Sequence, residues 1–451
     1  MADAQPSLAT DSTRLISLTI LQRAAGLFNG ILYLALLPPV AYAAWKTAAT
    51  FLQIGLPGWS LLQTDLAKRR RQGDTDWVAT WKGMLLVAVT CGLALFITTW
   101  LALSFVLKIY SSLRGYEMVL MVGTGLFLTS PIKTCLTLWW QVTSRFDLYS
   151  KLTTLETLVY TTGLLVGFFI FHEGVLVIPV AILISHGVHI VCSGWIWSRG
   201  LKREGTGRRL ALGDLGAIWQ LARREGKWVV LREASWDWYE ALKVAVLNML
   251  FPAALLGQLF AAETLATYAN TFFVALQPLF QVRLSDGKDR EGLRSMGEKF
   301  IPLLVTMAWG LYVLTMPAFY LVSHLLFNQY VEAMLLYPFF ALQLPWNAVS
   351  LVVMPQLYAL GQQPKLLRYS LERNALELST ILLGTIVLGP VAAPVILGHL
   401  IGGYFFTVRR AVLADRLLES RQARVRTFFP SRAALVEVVQ RLRLRYGSGR
   451  V

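Results

Sequence analysis

About twelve apolar stretches, each about 20 residues long, run through the chain between short polar or basic segments. A bilayer core of about 30 Å is crossed by about 20 apolar residues as an α-helix, which satisfies its own backbone hydrogen bonds. The pattern therefore predicts an all-α polytopic membrane protein. The predicted spanning helices are residues 15–37, 41–65, 81–107, 116–140, 151–171, 174–197, 228–252, 261–282, 300–326, 331–360, 366–388 and 391–412.

The composition agrees with this class of protein. Hydrophobic residues make up 55% of the 451 residues and charged residues only 15%, which lies outside the range of soluble globular domains. The formal net charge is +16, and in such a chain it indicates basic cytoplasmic loops. Basic patches with interleaved aromatic residues are absent, so no nucleic-acid partner is predicted.

Lysine and arginine are distributed unevenly between the predicted loops. The loops after the second, sixth, eighth and tenth helices and the segment after residue 412 are rich in both, whereas the alternate loops contain only Lys108 and Arg114. Cytoplasmic loops of membrane proteins carry the excess of Lys and Arg. Both termini are therefore predicted to face the cytoplasm, which agrees with an even number of spanning helices.

The longest predicted soluble loop divides the spanning helices into two sets of six. Residues 144–167 align without gaps on residues 361–384, which places Gly167 on Gly384 at matching topological positions. Two parallel six-helix halves around a central cavity, working by alternating access, are therefore predicted. The predicted organisation is a cytoplasmic N-terminus (1–14), an N-terminal half (15–197), a basic cytoplasmic linker (198–227), a C-terminal half (228–412) and a basic amphipathic cytoplasmic tail (413–451).

Ionisable side chains are concentrated in a few of the predicted helices. Such groups are costly inside a membrane and normally face a cavity or a partner. In helix seven, Asp237 and Glu240 share one face, and Lys243 lies on a neighbouring stripe. These positions predict a hydrated cleft lined by helices one, two, seven and eight. The candidate substrate-binding cations are Arg23, Lys46, Lys133, Arg232 and Lys243; the candidate coupling or charge-balancing carboxylates are Asp237, Glu240 and Glu377; the candidate polar lining residues are Gln53, Asn270 and Gln277.

A purely structural role is the alternative for several of these side chains. Arg232 lies near the cytoplasmic boundary, where snorkelling to the interface accounts for it equally well. Asp237 and Lys243 can form an ion pair that has no transport role. Arg23 lies roughly 12 Å from the start of the first predicted helix. That depth favours a cavity role, but a shift of a few residues would allow Arg23 to snorkel as well.

Enzyme signatures are missing from the sequence. It contains no P-loop, no HExxH, no GxSxG and no paired Cys/His motif. His186 and His189 share a helix face, but no carboxylate pattern joins them, and the three cysteines lie in apolar runs without metal-ligand spacing. The chain is therefore predicted not to be an enzyme, with no catalytic residue, no cofactor and no metal site.

Several stretches resemble one family of transporters. The segment YAAWKTAATFLQIGLPGWSLLQTDLAKRRRQGD resembles the second-helix signature of bacterial polysaccharide flippases, with Ala43 where glycine is usual. ETLATYANTFFVAL resembles the start of their eighth helix, and FNQYVEAMLLYPFFAL and YALGQQPKLLRYSLERNALELSTILLG resemble their last third. These are the O-antigen and exopolysaccharide flippases of the multidrug/oligosaccharidyl-lipid/polysaccharide (MOP) exporter superfamily, to which the MATE transporters also belong.

The resemblance implies a flippase for undecaprenyl-diphosphate-linked oligosaccharide repeat units in surface polysaccharide synthesis. It implies a multi-pass protein of the bacterial cytoplasmic (inner) membrane that is not an ATPase. Related lipid II flippases carry arginines in their first helix, which Arg23 resembles, but they usually have about fourteen helices. The expected partners are the lipid-linked glycan, the bilayer and other membrane proteins of polysaccharide assembly, and the protein is expected to be a monomer.

Two other functions remain open at this point. A MATE-type drug/cation antiporter would share the fold, but it would favour carboxylates over cations in the N-terminal cavity. A membrane glycan polymerase or ligase would need a sizeable outer loop or soluble domain for its catalytic residues, whereas every predicted outer loop is short.

Overall fold

The regular structure of the described residues is helical, mostly α-helix with short 3-10 turns at Ser111–Leu113 and Asn328–Tyr330. The computed structural model describes residues 8–53, 66, 77–143, 145–172, 174–204, 216, 227–285, 290–420 and 428–429, and no strand occurs among them. The first helices are α1 (Leu8–Leu36), α2 (Pro39–Leu52), α3 (Trp77–Leu101), α4 (Leu103–Ile109), α5 (Glu117–Gly123), α6 (Leu126–Val142), α7 (Phe146–Phe169) and α8 (Val177–Glu204). They are followed by α9 (Lys227–Leu250), α10 (Ala253–Ser285), α11 (Arg290–Leu326), α12 (Val331–Ala341), α13 (Gln343–Ala359), α14 (Gln363–Leu388) and α15 (Ala392–Leu418).

The predicted spanning helices correspond to single helices or to pairs with a short interruption. The predicted helix at 81–107 is formed by α3 and α4, and the one at 331–360 by α12 and α13, which are separated at Leu342. Pro345 has no N–H to donate to the carbonyl of Ala341, so the helical ladder is interrupted there. Residues 54–65 of the second predicted helix lie outside the described residues.

Seven helical segments of the described chain are long and apolar enough to cross a membrane, judged by length and composition. Large apolar side chains on their outer faces and on α14 are exposed: Leu101, Leu325, Ile386 and Val387 are 72–82% accessible. A bilayer is the environment that suits such surfaces. The seven segments are Trp77–Leu101, Glu117–Val142, Asp147–Phe169, Val177–Ser198, Arg290–Leu326, Asn328–Ala359 and Ala392–Leu418.

Two compact units divide the chain after Gly257. Unit 1 is residues 1–257 and therefore includes α9, and unit 2 is residues 258–451. The predicted boundaries between two six-helix halves, with a linker at 198–227, concern topology and stay a prediction. Most of that linker and of the predicted basic tail, and the first seven residues, lie outside the described residues.

A cluster of tryptophans joins α3, α6 and α8 within unit 1. The Trp81 ring lies 4.7 Å from that of Trp139 and 5.6 Å from that of Trp197. The Trp81 indole N–H donates a 2.8 Å hydrogen bond to the backbone carbonyl of Cys135. Buried aromatic contacts of this kind contribute large apolar area and fixed geometry. The cluster thereby fixes the relative position of α6 and α8, which carry candidate functional residues.

Two glycines allow the same helix pair to pack closely in each unit. Gly167 on α7 lies against Val177 at the start of α8, and Gly384 on α14 lies against Pro394 near the start of α15. A Cβ at either glycine would overlap the facing side chain. These are the two glycines that the predicted repeat aligns, and each allows the fifth and sixth predicted helices of its half to approach.

Replacing either glycine by valine should loosen the helix pair. Because the packed site has no room for the added methyl groups, we expect Gly167→Val and Gly384→Val to cost about 1–3 kcal/mol each. The measurement is the melting temperature of the detergent-solubilised protein. Gly194→Ala on α8 is the control, since nothing lies within 4 Å of a Cβ built there. A Gly167→Val protein that melts like Gly194→Ala would contradict the close packing.

Candidate substrate and coupling residues

The predicted site residues are distributed over both units. Arg23 lies on α1 and Gln277 on α10, but the side chains of both are outside the described residues. Their predicted place in a cavity remains a prediction. The other candidates have described side chains and can be placed among their neighbours.

Lys46 is the candidate cation on α2. This helix begins at Pro39, whose fixed φ angle suits the first helical position. Lys46 is half-buried, and its Nζ lies 5.9 Å from the centroid of the Tyr42 ring. No carboxylate forms an ion pair with Lys46 within the described part of the chain. Gln53, the predicted lining residue of this helix, is exposed at its C-terminal end.

The charged residues of α9 include one ion pair formed within the helix. The Nζ of Lys243 lies 2.7 Å from Oε2 of Glu240, and the Lys243 side chain is only 7% exposed. Arg232 and Asp237 are half-buried, and both interact with other groups. The cation of Lys243 is therefore neutralised by a carboxylate one turn away.

A small polar network holds α9 against α2 within unit 1. The Asn248 side-chain amide donates to Oγ1 of Thr47 at 3.1 Å, and its Oδ1 accepts from the backbone N–H of Ser112 at 3.0 Å. Tyr110, in the segment after α4, donates to the carbonyl of Ala241. Burial raises the pKa of Tyr110 to about 12, so its hydroxyl stays protonated. Sequence analysis did not identify these residues, because isolated Asn, Thr and Ser residues give no distinctive pattern.

Lys133 belongs to a cluster of titratable groups contributed by α6, α7 and α8. Its Nζ lies 2.7 Å from Oε1 of Glu156 and 3.2 Å from Nε2 of His186. His189 Nδ1 lies 2.9 Å from the other oxygen of Glu156. Sequence analysis found that no carboxylate accompanies the two histidines along their own helix. In the structure, Glu156 of α7 is that carboxylate. A lone glutamate within the otherwise uncharged run LTTLETLVYTT could have indicated it.

Glu377 lies in a second buried cluster, within unit 2. Its side chain is 1% exposed, Oε2 lies 3.2 Å from Nη2 of Arg373 on the same helix, and Oε1 lies 3.8 Å from Nδ1 of His399 on α15. Both polar side-chain atoms of Asn374, and Oδ1 of Asn270, are buried without a hydrogen-bond partner among the described residues. Among all the described residues, no group of three or more His, Cys, Asp or Glu residues is arranged so that it could hold a metal ion.

Solved transporter structures share this fold. No family model and no curated protein matches the sequence. An inward-facing multidrug resistance MATE transporter of the MOP superfamily aligns with a TM-score of 0.70 at 13% identity, covering 91% of this chain and 99% of that chain. The lipid II flippase MurJ, in an inward closed conformation, aligns with a TM-score of 0.65 at 12% identity, covering 97% and 93%. The eukaryotic MATE transporter AtDTX14 aligns at 0.55 and 12% identity, covering 93% and 97%.

These likenesses establish the fold. The chain is an all-α polytopic membrane protein with the fold of MOP-superfamily transporters, as predicted from its sequence. At 12–13% identity, these structures do not assign a substrate.

Breaking the buried pair of unit 2 should be costly. We expect Glu377→Gln and Arg373→Met each to destabilise the protein by about 3–5 kcal/mol, because each removes one partner of a buried ion pair. The double variant should cost less than the sum, with a coupling of about 0.5–3 kcal/mol. Melting temperatures of the solubilised proteins give the comparison. Arg368→Met is the matched control, because its pair with Glu372 leaves the arginine side chain 75% exposed. Additive effects of the two buried substitutions would contradict the pair.

Proposed function

We propose that this protein is a flippase for undecaprenyl-diphosphate-linked oligosaccharides. It would move each lipid-linked repeat unit from the inner to the outer leaflet of the bacterial cytoplasmic membrane by alternating access. The product would supply surface polysaccharide synthesis, alongside other membrane proteins of polysaccharide assembly. The protein would act as a monomer without a cofactor.

The fold supports a transporter of large lipid-linked substrates. A structure described as a lipid II flippase shares the fold over 97% of this chain. The described loops between helices are short, so the chain shows no soluble domain in these regions that would carry out glycan polymerisation or ligation. This argues for translocation rather than synthesis of the glycan.

The surroundings of Lys46 give the strongest support for the proposed flippase function. It is a half-buried ammonium on an otherwise largely apolar helix, and it has no ion-pair partner among the described residues. A diphosphate in a low-dielectric site requires neutralisation by such groups and charge-assisted hydrogen bonds. Lys46 supplies three donors and one positive charge for this purpose.

Two of the other candidate cations, Lys133 and Lys243, are held by carboxylates, and this suits an exchange of partners. Lys133 is paired with Glu156, and Lys243 with Glu240, at 2.7 Å in both cases. For a cation buried more deeply than Lys46, such as Lys243, the lack of a counter-ion would be strongly unfavourable when no substrate is bound. An arriving diphosphate would take over part of this neutralisation, so the carboxylates act as counter-ions of the empty state.

A MATE-type drug/cation antiporter is the second candidate function. The alignment with a MATE transporter at a TM-score of 0.70 favours it. Such a protein would use its buried carboxylates to bind a cationic drug or the coupling ion. The two functions differ in the charge of the substrate, and the test below separates them.

The function is tested by complementation of a bacterial strain that lacks its lipid-linked oligosaccharide flippase. Wild type should restore surface glycan, and Lys46→Gln should lower glycan transport about tenfold, since loss of one hydrogen bond to a charged group costs about 1.5–3 kcal/mol. Lys46→Arg should retain transport, because it preserves the charge. The measurement is surface glycan per cell, with the inner-leaflet lipid-linked intermediate measured in parallel.

Lys108→Gln is the matched control, because it removes an exposed lysine that is predicted to lie outside the membrane. Arg23→Ala and Asp237→Asn belong to the same series. Normal surface glycan in both, at equal expression, would contradict the predicted site. Failure of wild type with any lipid-linked glycan, together with drug efflux, would favour the antiporter.

The orientation in the membrane has its own test. The basic loops predict cytoplasmic termini. A reporter that functions only in the cytoplasm should therefore be active when it is fused after Val451, and a reporter that functions only in the periplasm should be inactive there. A matched fusion within the predicted outer loop at Lys108–Arg114 should show the opposite behaviour. Two reporters with complementary compartment requirements make the measurement. Activity of a periplasmic reporter at the C-terminus would contradict the predicted topology.

A further inference from the structure

The cluster around Glu156 joins three helices of unit 1 through four titratable side chains. Lys133 comes from α6, Glu156 from α7, and His186 and His189 from α8. Both histidines are buried, at 9% and 1% side-chain exposure, whereas Lys133 is 23% and Glu156 16% exposed. The Lys133–Glu156 pair is therefore partly accessible to solvent, whereas both histidine side chains are buried.

The hydrogen bonds define the protonation of His186. The Thr129 hydroxyl donates to the carbonyl of Gly125 at 3.2 Å, so its oxygen is left to accept from His186 Nδ1, 3.3 Å away. His186 Nε2 then carries the lone pair, and it accepts from the Lys133 ammonium at 3.2 Å. Both contacts agree on a neutral ring with its proton on Nδ1.

His189 has a different role in the cluster. Its Nδ1 lies 2.9 Å from Oε2 of Glu156, and its Nε2 lies 3.2 Å from the hydroxyl of Thr137. The Thr137 hydroxyl is within hydrogen-bond distance of Nε2, whereas the contact of Nδ1 with Glu156 lacks hydrogen-bond geometry. His189 therefore lies at ion-pair distance from one oxygen of Glu156 and leaves Oε1 for Lys133.

The surroundings add few further charges. Tyr149, on α7, interacts electrostatically with Glu156. Helix α1 also packs on α7, where Asn29 donates to Thr161 at 3.2 Å and the Tyr33 hydroxyl contacts that of Tyr160. Among the described side chains, the charged or titratable groups that face Glu156 are Lys133, His186, His189 and Tyr149.

The corresponding helices of unit 2 carry a contrasting cluster. There, Glu377 on α14 also faces a histidine on the next helix, His399. Its cation is Arg373, from the same helix as the carboxylate, and the Glu377 side chain is almost completely buried. Arginine remains charged at every physiological pH. The cluster of unit 2 thus pairs its carboxylate with a cation of the same helix, whereas that of unit 1 pairs groups from two helices.

We infer that the unit 1 cluster is a proton-binding site that controls whether Lys133 is available to an anionic ligand. A hydronium ion transfers a proton to the lone pair of His186 Nε2; an O–H bond breaks, an N–H bond forms and a water molecule is left. The imidazolium then repels the Lys133 ammonium and pairs with Oε1 of Glu156, which lies 3.7 Å away. No other covalent bond changes, and the released ammonium can bind a phosphate oxygen. The choice of ligand rests on the proposed function, whereas the proton site does not.

The inference is tested by binding of undecaprenyl diphosphate to the full-length protein in nanodiscs, at about pH 4 and about pH 8. Wild type should bind about fivefold or more tightly at the lower pH, as expected for coupled sites. His186→Gln should bind the lipid with similar affinity at both pH values, apart from any change caused by titration of the lipid's own phosphates. Glu156→Gln should bind tightly at both pH values, because Lys133 has lost its counter-ion, and Lys133→Gln weakly at both.

His324→Gln is the matched control, since this exposed histidine on α11 lies outside both clusters, and it should retain the wild-type response. Loss of the pH response in His399→Gln but not in His186→Gln would assign the proton to unit 2 and overturn the inference. Equal affinity of wild type at both pH values, with binding detected, would also overturn it.

A measurement without ligand keeps the proton site separate from the substrate. The chain has only five histidines, so nitrogen-15 NMR of the histidine-labelled protein can assign His186 by its loss in His186→Gln. We expect the Nδ1–H tautomer at about pH 8 and a doubly protonated ring only at about pH 4, because burial and the Lys133 ammonium both disfavour the imidazolium. A ring that stays neutral would overturn the proton site. A protonated ring with no lipid binding in any variant would instead contradict the proposed substrate and the release of Lys133 to it.

Discussion

The cost of placing charge among apolar helices is the constraint on which this structure depends. An unpaired ion in a low-dielectric interior is far more expensive than one in water, so ionisable groups in spanning helices need partners. Lys243 pairs with Glu240, and Arg373 pairs with Glu377, each within a single helix. Lys133 is neutralised by Glu156 from a neighbouring helix. Each of these pairs lies within one compact unit.

The kind of pairing determines what each group can do. A pair within one helix, such as Arg373 with Glu377, adds polarity without linking two helices. The pair of Lys133 with Glu156 links α6 to α7, and the two histidines extend it to α8. A change of protonation there therefore acts on the packing of three helices together. Such a linked element is what a transporter needs to connect ion binding with a change of conformation.

The helices were predictable from the sequence, whereas the contacts between them were only partly so. Hydropathy over about 20 residues locates a spanning helix without knowledge of its neighbours, and the aligned glycines Gly167 and Gly384 occupy equivalent packing positions in the two units. The partner of Lys133 was missed, because Glu156 lies 23 residues away on another helix. Periodicity relates residues of one helix and does not specify which residues of two helices will meet. The contact of Lys243 with Glu240 follows from their spacing of three residues.

In the proposed function, the charged groups of these helices serve to move an anionic lipid-linked glycan. The most direct test uses purified protein in proteoliposomes that contain a fluorescent undecaprenyl-diphosphate oligosaccharide. A membrane-impermeant reagent that quenches only the outer leaflet reports translocation. Wild type is expected to transfer the labelled lipid between leaflets faster than protein-free vesicles and faster than Lys46→Gln. Translocation no faster than in protein-free vesicles, from protein that exports a cationic drug in the same vesicles, would contradict it.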